Sequence, residues 1–330
     1  MSDALAPLAD ALPDGVLHAE LPTPFPVGPV NCWLLPEGAV TLVDPGMVWA
    51  DSVERVERLL AEAGLRLGDV ERIVVTHGHP DHYGLAGKLA RDSGARILCG
   101  AAERPKLLSS YDRPRFQDLL AALGIPEAVR ESWPELYAGM RELIDSPDES
   151  VLDDVADGEL LTLGDRILTA HVTPGHATGH LSLFEAETGM LLSGDHLLPR
   201  ITPNPVLEPD ADTGERRRSL VEYLDSLDRF VALDPSVVLP GHGPAFHDVG
   251  ALVASMRVHH DRRAERVLDL VRELGEPTPY DLATAMFPNL EGFGVMLGVS
   301  EAIGHLDLLV DDGVVVEGDD TGTARRYRAA

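Results

Sequence analysis

The chain has 330 residues, of which 44% are hydrophobic and 25% are charged, as expected for a globular protein with a large core and more than one structural unit. The net charge is extreme, because 27 basic residues stand against 55 acidic ones and the sum is −28. Such a field repels phosphate backbones, so the composition disfavours nucleic acid as a partner. It also disfavours anionic small substrates, unless bound cations reverse the sign locally.

Cysteine usage and hydropathy bear on the compartment. The two cysteines, Cys32 and Cys99, lie in apolar runs, which predicts buried free thiols and a reducing, cytoplasmic environment. The segment Met1–Gly15 is acidic and has neither a basic start nor a long apolar core, so we expect no secretory signal. We also expect no apolar stretch long enough to span a bilayer, and hence no membrane association.

The first third of the chain predicts alternating strands and helices. Helices are expected over Ser52–Ala63, which stops at Gly64, and over Tyr83–Asp92, which closes near Gly94. The predicted strands are Val16–Leu21, Asn31–Leu35, Ala39–Val43, Arg72–Val75 and Arg96–Cys99.

Residues 103–145 interrupt this alternation. The segment is helical in character and contains Phe116, Trp133, Tyr137 and several prolines. We interpret it as a helical insertion above the site, either a lid or a wall of the substrate pocket. Simple packing against the core is an equally valid interpretation of the same residues.

The rest of the chain predicts further strands up to about residue 250 and mainly helices after it. The predicted elements before residue 250 are strands Arg166–Thr173, Leu181–Glu185, Met190–Ser193 and Val237–Leu239, and helix Ser219–Leu233. Three helices are then expected, at Val253–Leu274, Tyr280–Phe287 and Val295–Val310. A hairpin of Val314–Glu317 and Ala324–Arg328 follows, with the turn at Gly318–Gly322. This order predicts a catalytic domain over 1–249 and a winged-helix-like domain over 250–330.

The densest chemical motif is the run from Thr76 to His82. It places His77, His79, Asp81 and His82 directly after the apolar strand that ends at Val75. Imidazole and carboxylate together suit zinc and similar first-row metals. Gly78 allows a tight turn between two ligands, and Pro80 stiffens the loop. A polar surface loop would seldom concentrate three histidines in six residues.

Three more polar clusters each follow an apolar strand and a glycine. They contain His176 and His180, then Asp195 and His196, and finally His242 in a Pro-Gly-His-Gly run. Because α/β sheets place their sites just beyond strand ends, the repeated pattern predicts that these side chains converge. We expect His180 to be structural or to support a ligand and not to bind metal itself, whereas the role of His196 stays open between facing the substrate and hydrogen-bonding a neighbouring loop.

The order of these clusters resembles the metallo-β-lactamase superfamily, which implies an α/β fold of the αββα sandwich type with a binuclear metal site. Carried over by motif, the resemblance implies that His77, His79 and His176 hold one metal and that Asp81, His82 and His242 hold the other. Asp195 corresponds to the bridging carboxylate, and Asp44 to an aspartate that orients a ligand histidine. The implied cofactors are two Zn²⁺ per chain, with iron or manganese compatible with the same ligands.

The resemblance also implies a mechanism. A hydroxide between the two metals would attack an ester, thioester or lactone carbonyl, and Asp81 or metal-bound water would supply a proton to the leaving group. Asp81 and Asp195 are therefore the candidate catalytic residues of a metal-dependent hydrolase. Its expected partner is a small-molecule acyl substrate, and a homo-oligomer is compatible with the sequence.

Within the superfamily, the run from Ser193 to Asn204 and the Gly304-His305-Leu306 segment are similar to the β-lactamase-like protein 2 group. Glyoxalase II has the same ligand set, but its glutathione-holding pattern is not found here. Two alternatives stay open, a metal-dependent endoribonuclease or phosphodiesterase and an iron-dependent redox protein. The segment 251–330 contains 8 basic and 14 acidic residues, which counts against the first of them.

Overall fold

The computed structural model describes residues 12–109, 113–210, 213–318 and 324–330, without the side chains of Arg113, Leu136 and Tyr137. The first eleven residues and most of the turn expected at Gly318–Gly322 lie outside the described residues. Two large sheets and a two-stranded ribbon form the β-structure of the described residues.

The first sheet has six strands in chain order. They are β1 (Leu17–Leu21), β2 (Val30–Leu35), β3 (Thr41–Val43), β4 (Arg72–Val75), β5 (Arg96–Gly100) and β6 (Leu152–Val155). Strands β1 to β3 pair antiparallel, whereas β3 to β6 are parallel. The parallel pairing brings the carboxyl ends of β3 and β4 to the same edge, where Asp44 and the Thr76–His82 run begin.

The second sheet has five strands in the order β11-β10-β9-β8-β7. They are β7 (Leu160–Leu163), β8 (Arg166–Val172), β9 (Leu181–Glu185), β10 (Met190–Gly194) and β11 (Val237–Pro240). Strands β10 and β11 are parallel, and β8 runs the same way because β9 is antiparallel to both of its neighbours. The carboxyl ends of β8, β10 and β11 therefore share an edge, and each is followed by a predicted ligand.

Alternation along the strands packs the two sheets face to face. In β4, Val74 lies in the core between the sheets, while Ile73 and Val75 lie in the core on the outer face. Helices α1 (Ser52–Glu62) and α3 (Ala86–Ser93) cover that outer face. Helices α8 (Ser219–Leu233) and α9 (Val249–Leu274) cover the second sheet. This is the predicted αββα sandwich.

The insertion is helical, and it packs with the end of the chain. It contains α4 (Arg104–Leu107), α5 (Arg113–Ala122), α6 (Glu127–Glu131) and α7 (Trp133–Arg141). Phe116, Leu120 and Trp133 share one apolar cluster with α10 (Pro279–Met286) and α11 (Phe293–Asp311). The insertion is thus part of a second core and not an isolated flap.

The C-terminal region has the predicted order of three helices and a β-ribbon, which is formed by β12 (Val315–Glu317) and β13 (Tyr327–Ala329). Its assignment as a winged helix and the boundary at residue 249 stay predictions. Helix α9 belongs to both units. Its residues Val253 and Met256 pack in the apolar cluster that covers the second sheet, and Val267 and Val271 pack in the cluster of the insertion, α10 and α11.

Three sequence expectations need correction. Strands β6 and β7 were not expected, because β6 reads Leu-Asp-Asp-Val and is too acidic to predict a strand. The helix expected over Tyr83–Asp92 is two helices, α2 (Pro80–Tyr83) and α3, and other backbone packs closely against Gly84 between them. Helix α11 has the length and mean hydropathy, 1.5, of a membrane span, although 72% of the window is buried inside the protein.

Candidate metal centre

The predicted ligand residues converge where the two sheets meet. Backbone hydrogen bonds join the sheet edges at this point, from Leu181 N to Thr76 O at 2.8 Å and from Asn31 N to Gly241 O at 2.7 Å. The ligand-bearing loops are therefore fixed to each other by main-chain contacts. The residues brought together are His77, His79, Asp81, His82, His176, Asp195 and His242, which we call the ligand cluster.

Three imidazoles form one end of the ligand cluster. His77 Nε2 lies 2.9 Å and His176 Nε2 lies 3.1 Å from His79 Nδ1. Zinc–nitrogen bonds of about 2.0–2.1 Å place tetrahedral ligand nitrogens about 3.3 Å apart, close to these separations. The three nitrogens thus fit one metal position.

The other end combines two imidazoles with two carboxylates. His242 Nε2 lies 3.3 Å from Asp81 Oδ2 and 3.5 Å from Asp195 Oδ2. His82 Nε2 lies 3.4 Å from Asp195 Oδ2 and 4.0 Å from Asp81 Oδ2. Asp195 Oδ2 is also 3.7 Å from His176 Nε2, so this oxygen lies between the two ends. That is the position expected of a carboxylate shared by two metals.

Hydrogen bonds on the far side of the rings fix their tautomers. His176 Nδ1 donates to Asn204 O at 2.9 Å, and His242 Nδ1 donates to Pro29 O at 2.8 Å. A carbonyl oxygen can only accept, so each Nδ1 carries the proton and each Nε2 offers a lone pair to the centre of the cluster. Histidine ligands are usually oriented in this way.

Asp44 orients two more of the histidines. Its Oδ2 accepts from His82 Nδ1 at 2.8 Å and from the Thr76 hydroxyl at 2.7 Å, and Thr76 Oγ1 in turn lies 3.0 Å from His77 Nδ1. Its Oδ1 accepts the Thr76 N–H at 2.8 Å. Asp44 has a left-handed φ of 52°, a conformation that aspartate tolerates better than most residues. The Asp-Pro-Gly turn thus places one carboxylate where it orients a histidine at each end of the ligand cluster, His82 directly and His77 through Thr76.

Several buried atoms of the cluster have no protein partner. His82 Nε2, His242 Nε2 and Asp195 Oδ1 are buried without a hydrogen bond. Among the described residues, Asp81 and Asp195 form no ion pair with any lysine or arginine. Buried carboxylates and lone pairs without partners are costly. A divalent cation would satisfy both, and the donor set of imidazole nitrogen and carboxylate oxygen fits such an ion.

The histidine pKa values differ between the two ends of the ligand cluster. Burial lowers the pKa of His77 well below its usual value, with His82 adding to the effect, and burial with His176 lowers the pKa of His79 to about 3. For His82, burial also acts to lower the pKa, but Asp195 and Asp44 outweigh it and raise the pKa well above the usual value. The positive charge therefore gathers beside the carboxylates, where a bound cation would replace the protons.

His180 and His196 lie behind the ligand cluster. His180 Nε2 accepts the Asp195 N–H at 3.2 Å, and Thr173 Oγ1 lies 3.0 Å from its Nδ1. His196 is buried and stacks on Tyr223, with ring centroids 4.5 Å apart. Neither faces the open side of the cluster, so His180 positions the Asp195 loop and His196 packs against α8.

A buried ionic network, which the sequence analysis did not identify, supports two of the ligand loops. Glu103 accepts the N–H groups of Gly78 at 2.7 Å and of Gly179 at 2.5 Å. Lys106 Nζ lies 2.7 Å from Glu103 and 2.6 Å from Glu208, which accepts the Thr178 N–H at 2.8 Å. The network joins the loops of His77 and His176 to the insertion. Glu103 and Lys106 are three residues apart, but Glu208 and the loops that they hold are distant in sequence, so no local motif marks the network.

Gly241 shows why the ligand loops contain glycine. A Cβ at this position would overlap Asp195 Oδ1 and would lie 2.8 Å from His82 Cε1. The glycine before His242 therefore lets the β11 loop approach the other two ligands closely.

Comparisons with known proteins agree with this geometry. Residues 25–242 match the family model described as "Metallo-beta-lactamase superfamily". "Probable metallo-hydrolase YqjP" of Bacillus subtilis is 30% identical over 311 residues, which cover 90% of this chain and 92% of that protein. The "Beta-lactamase-like protein 2 homolog" of Caenorhabditis elegans is 25% identical over 89% of this chain and 83% of its own length.

A solved structure extends the likeness to nearly the whole chain. The metallo-beta-lactamase family protein TTHA1429 from Thermus thermophilus superposes with a TM-score of 0.83 at 31% identity. The match covers 97% of this chain and 100% of that chain, so it includes the insertion and the C-terminal helices. By family match, relatives and fold, this chain belongs to the metallo-beta-lactamase superfamily.

Proposed function

We propose that the protein is a binuclear zinc hydrolase that cleaves an ester, thioester or lactone. The observation that carries the proposal is the set of inward-facing Nε2 atoms around two carboxylates that have no lysine or arginine partner. One metal would be held by His77, His79 and His176, and the second by Asp81, His82 and His242. Asp195 would contact both of them.

The protein's own groups prepare the reaction. Metal ions held by these residues would supply Lewis acidity, which lowers the pKa of water from about 15.7 toward ~7 and polarises a carbonyl group. Burial raises the pKa of Asp81, but His82 and His242 outweigh burial and hold it below its usual value. Asp81 is therefore ionised at neutral pH. Its carboxylate can accept a proton from the attacking water and pass it to the leaving oxygen or sulfur.

The balance of the reaction is simple. Water adds to the acyl carbon and the acyl–oxygen or acyl–sulfur bond breaks. One proton of the water goes to the leaving oxygen or sulfur, and the other is released to solvent as the acid product ionises. An ester or thioester gives a carboxylate and an alcohol or thiol, and a lactone gives a single hydroxycarboxylate. A more distant relative supports this class of bond. A protein of Aspergillus fumigatus named "Atrochrysone carboxyl ACP thioesterase" is 26% identical over 59% of this chain and 62% of its own length. We further propose a cytoplasmic location, consistent with the two buried, unpaired cysteines.

The proposal is tested with a substrate panel on protein reconstituted with zinc. Acyl-CoA, acylglutathione and lactone substrates are each assayed for hydrolysis, with single-stranded RNA assayed in parallel. We expect turnover of at least one carbonyl substrate and none of RNA. Cleavage of RNA with no carbonyl turnover would contradict the assignment.

Matched histidine variants identify the responsible site. His82→Gln removes a fully buried member of the ligand cluster, whereas His247→Gln changes an exposed histidine outside it. We expect the first variant to lose hydrolysis and metal, and the second to retain both. Equal activity in the two variants would place the chemistry elsewhere.

A further inference from the structure

A cavity of about 270 Å³ lies directly beside the ligand cluster. Gly78, His79 and Pro80 form one part of its wall, so it shares a surface with the His79 imidazole. The rest of the wall comes from the insertion, from residues 206–208 and from α11. The cavity therefore exists only because the insertion and the C-terminal helices pack over the sandwich.

Apolar and aromatic side chains dominate the wall. Trp133 and Phe116 of the insertion face the cavity and are 2% and 7% exposed. On the opposite side, Val206 and Met296 are 5% and 7% exposed. Walls of this kind favour an apolar occupant, because water would find few hydrogen-bond partners there.

The buried charged groups in the wall compensate each other. Lys106 borders the cavity, but its Nζ lies 2.6–2.7 Å from carboxylate oxygens of Glu103 and Glu208. Glu208 also accepts hydrogen bonds from Thr178, and Glu103 from two backbone N–H groups. Since two carboxylates already surround this ammonium, it is not available to bind a substrate carboxylate. Arg141, the other basic residue of the wall, is exposed, so the buried part of the cavity is apolar and not cationic.

The volume limits the size of the occupant. Ligand pockets commonly measure about 300–1,000 Å³, so this cavity is at the small end of the range. A cavity of this volume accommodates a single chain or ring. A group of that size is part of a substrate and not a whole carrier such as a coenzyme.

We propose that this cavity binds the acyl group of the substrate, an uncharged apolar chain or ring. The inference rests on the proposed function, since it places the carbonyl at the ligand cluster and the leaving group outside the cavity. Helix α11 and the insertion together determine the acyl length, and Met296 and Met140 are the side chains whose size sets the limit.

Variants of Met296 test the length limit in both directions. Met296→Trp fills the cavity and Met296→Ala enlarges it, and Met140→Trp fills it from the insertion should Met296→Trp fail to fold. Leu297→Trp and Leu297→Ala are the matched controls, because this neighbour on α11 faces a different cavity. The readout is kcat/KM for straight-chain acyl thioesters of two to twelve carbons, with zinc bound.

A direct binding measurement accompanies the kinetics and does not depend on hydrolysis. Uncharged ω-bromoalkan-1-ols of four to twelve carbons are titrated against tryptophan fluorescence, because a bromine in the cavity would quench Trp133. Trp133→Phe removes the responding residue, and Trp49→Phe, at a 43% exposed position, is its control. Saturable quenching is expected that survives Trp49→Phe and is lost in Trp133→Phe.

The outcomes separate the two proposals. We expect kcat/KM to rise about fourfold per methylene up to the limit. Met296→Trp should shorten the optimum by at least two carbons and Met296→Ala should lengthen it, whereas the Leu297 variants should leave it unchanged. Quenching without any thioester or ester hydrolysis would reject the proposed function and retain the cavity as an apolar binding site. Hydrolysis with neither quenching nor a Met296-dependent length profile would overturn the acyl-site assignment.

Discussion

Two groups of histidines in this protein are similarly dense, but they differ in their hydrogen-bond and ion-pair partners. The ligand cluster lies at the sheet edges, and a second group, which we call the helical histidine cluster, lies between α9 and α11 and consists of His259, His260, Glu301 and His305. In the helical cluster, His260 Nδ1 lies 3.2 Å from His305 Nε2, and His305 Nδ1 donates to Glu301 O at 2.7 Å.

The carboxylates make the clearest difference. Glu301 lies 3.6 Å from Arg263 Nε, so its charge has a cation of the protein as partner. Within the described part of the chain, the cationic partners of Asp81 and Asp195 are imidazoles and not lysine or arginine. Although His260 Nε2 also lacks a hydrogen bond, its neighbours leave no unpaired negative charge. We therefore expect metal in the ligand cluster and none in the helical histidine cluster. Oriented lone pairs must meet carboxylates that no lysine or arginine neutralises.

Removing one carboxylate from each cluster should give the largest contrast. We expect Asp195→Asn to lose bound metal and to lower kcat/KM by at least about 100-fold, because the substitution removes the one oxygen that lies between both ends of the ligand cluster. Glu301→Gln should keep its metal content and activity. Metal content after dialysis and steady-state kinetics measure both. Metal loss in Glu301→Gln would contradict the proposed difference in metal binding between the two clusters.

The orienting aspartate should have the next largest effect. Asp44→Asn replaces an acceptor shared by His82 and Thr76, so we expect a loss of about 10–100-fold in metal affinity. Asp228→Asn is the matched control, because Asp228 is an exposed residue that pairs with Arg257. Competition with a chromophoric chelator measures the affinity, and an unchanged value in Asp44→Asn would show that this aspartate does not orient the ligands.

The helical cluster should appear in the pH dependence of stability. Burial, with a contribution from His305, lowers the pKa of His260 to about 3, and burial lowers the pKa of His305 to about 4. The unfolded chain takes up protons at these positions below about pH 6.5, whereas the folded protein does not. Their contribution to the free energy of unfolding is therefore intact at pH 7 and decreases as the pH falls from about 6.5 to 4.

Replacing both histidines should flatten this profile. The double variant His260→Gln/His305→Gln should lose less stability than the wild type over that range, by up to about 1.4 kcal/mol per pH unit for each histidine. Urea unfolding at pH 7, 6 and 5 measures the difference, with His247→Gln as an exposed control. Parallel profiles for the wild type and the double variant would mean that the helical cluster does not resist protonation.

The smallest expected effect concerns His259, which is partly exposed at the edge of the helical cluster. We expect His259→Ala to change stability by no more than about 0.5 kcal/mol and metal content not at all. Elemental analysis of this variant is the check. A loss of one metal equivalent would identify the helical cluster as a further metal site.

Short apolar runs that end in glycine and ligand-type residues predicted most of the strands, whereas the αββα arrangement was implied by the resemblance to the metallo-β-lactamase superfamily. The sequence predicted the insertion only as helical in character, because α5 has a weak amphipathic pattern and packs through scattered residues such as Phe116 and Leu120. The acidic strand β6 was missed for the opposite reason, since Asp153 and Asp154 point to solvent and give no apolar signal.

In the site, too, the sequence predicted some groups and not others. Residue types mark the ligands themselves, so a motif can predict His77 or Asp195. The groups that orient them are different, because Asn204 and Pro29 act through backbone carbonyls, which no residue type reveals. Glu103, Lys106 and Glu208 form a network only when the insertion has folded back onto the ligand loops. Tertiary packing, not local sequence, determines that part of the site.

The most direct test is the number and position of the metal ions in the purified protein, measured by elemental analysis and by anomalous diffraction from a crystal. The account predicts two ions per chain, one among His77, His79 and His176 and one among Asp81, His82 and His242, with Asp195 in contact with both. No ion in the ligand cluster, or an ion bound by His259, His260 and Glu301 instead, would contradict it.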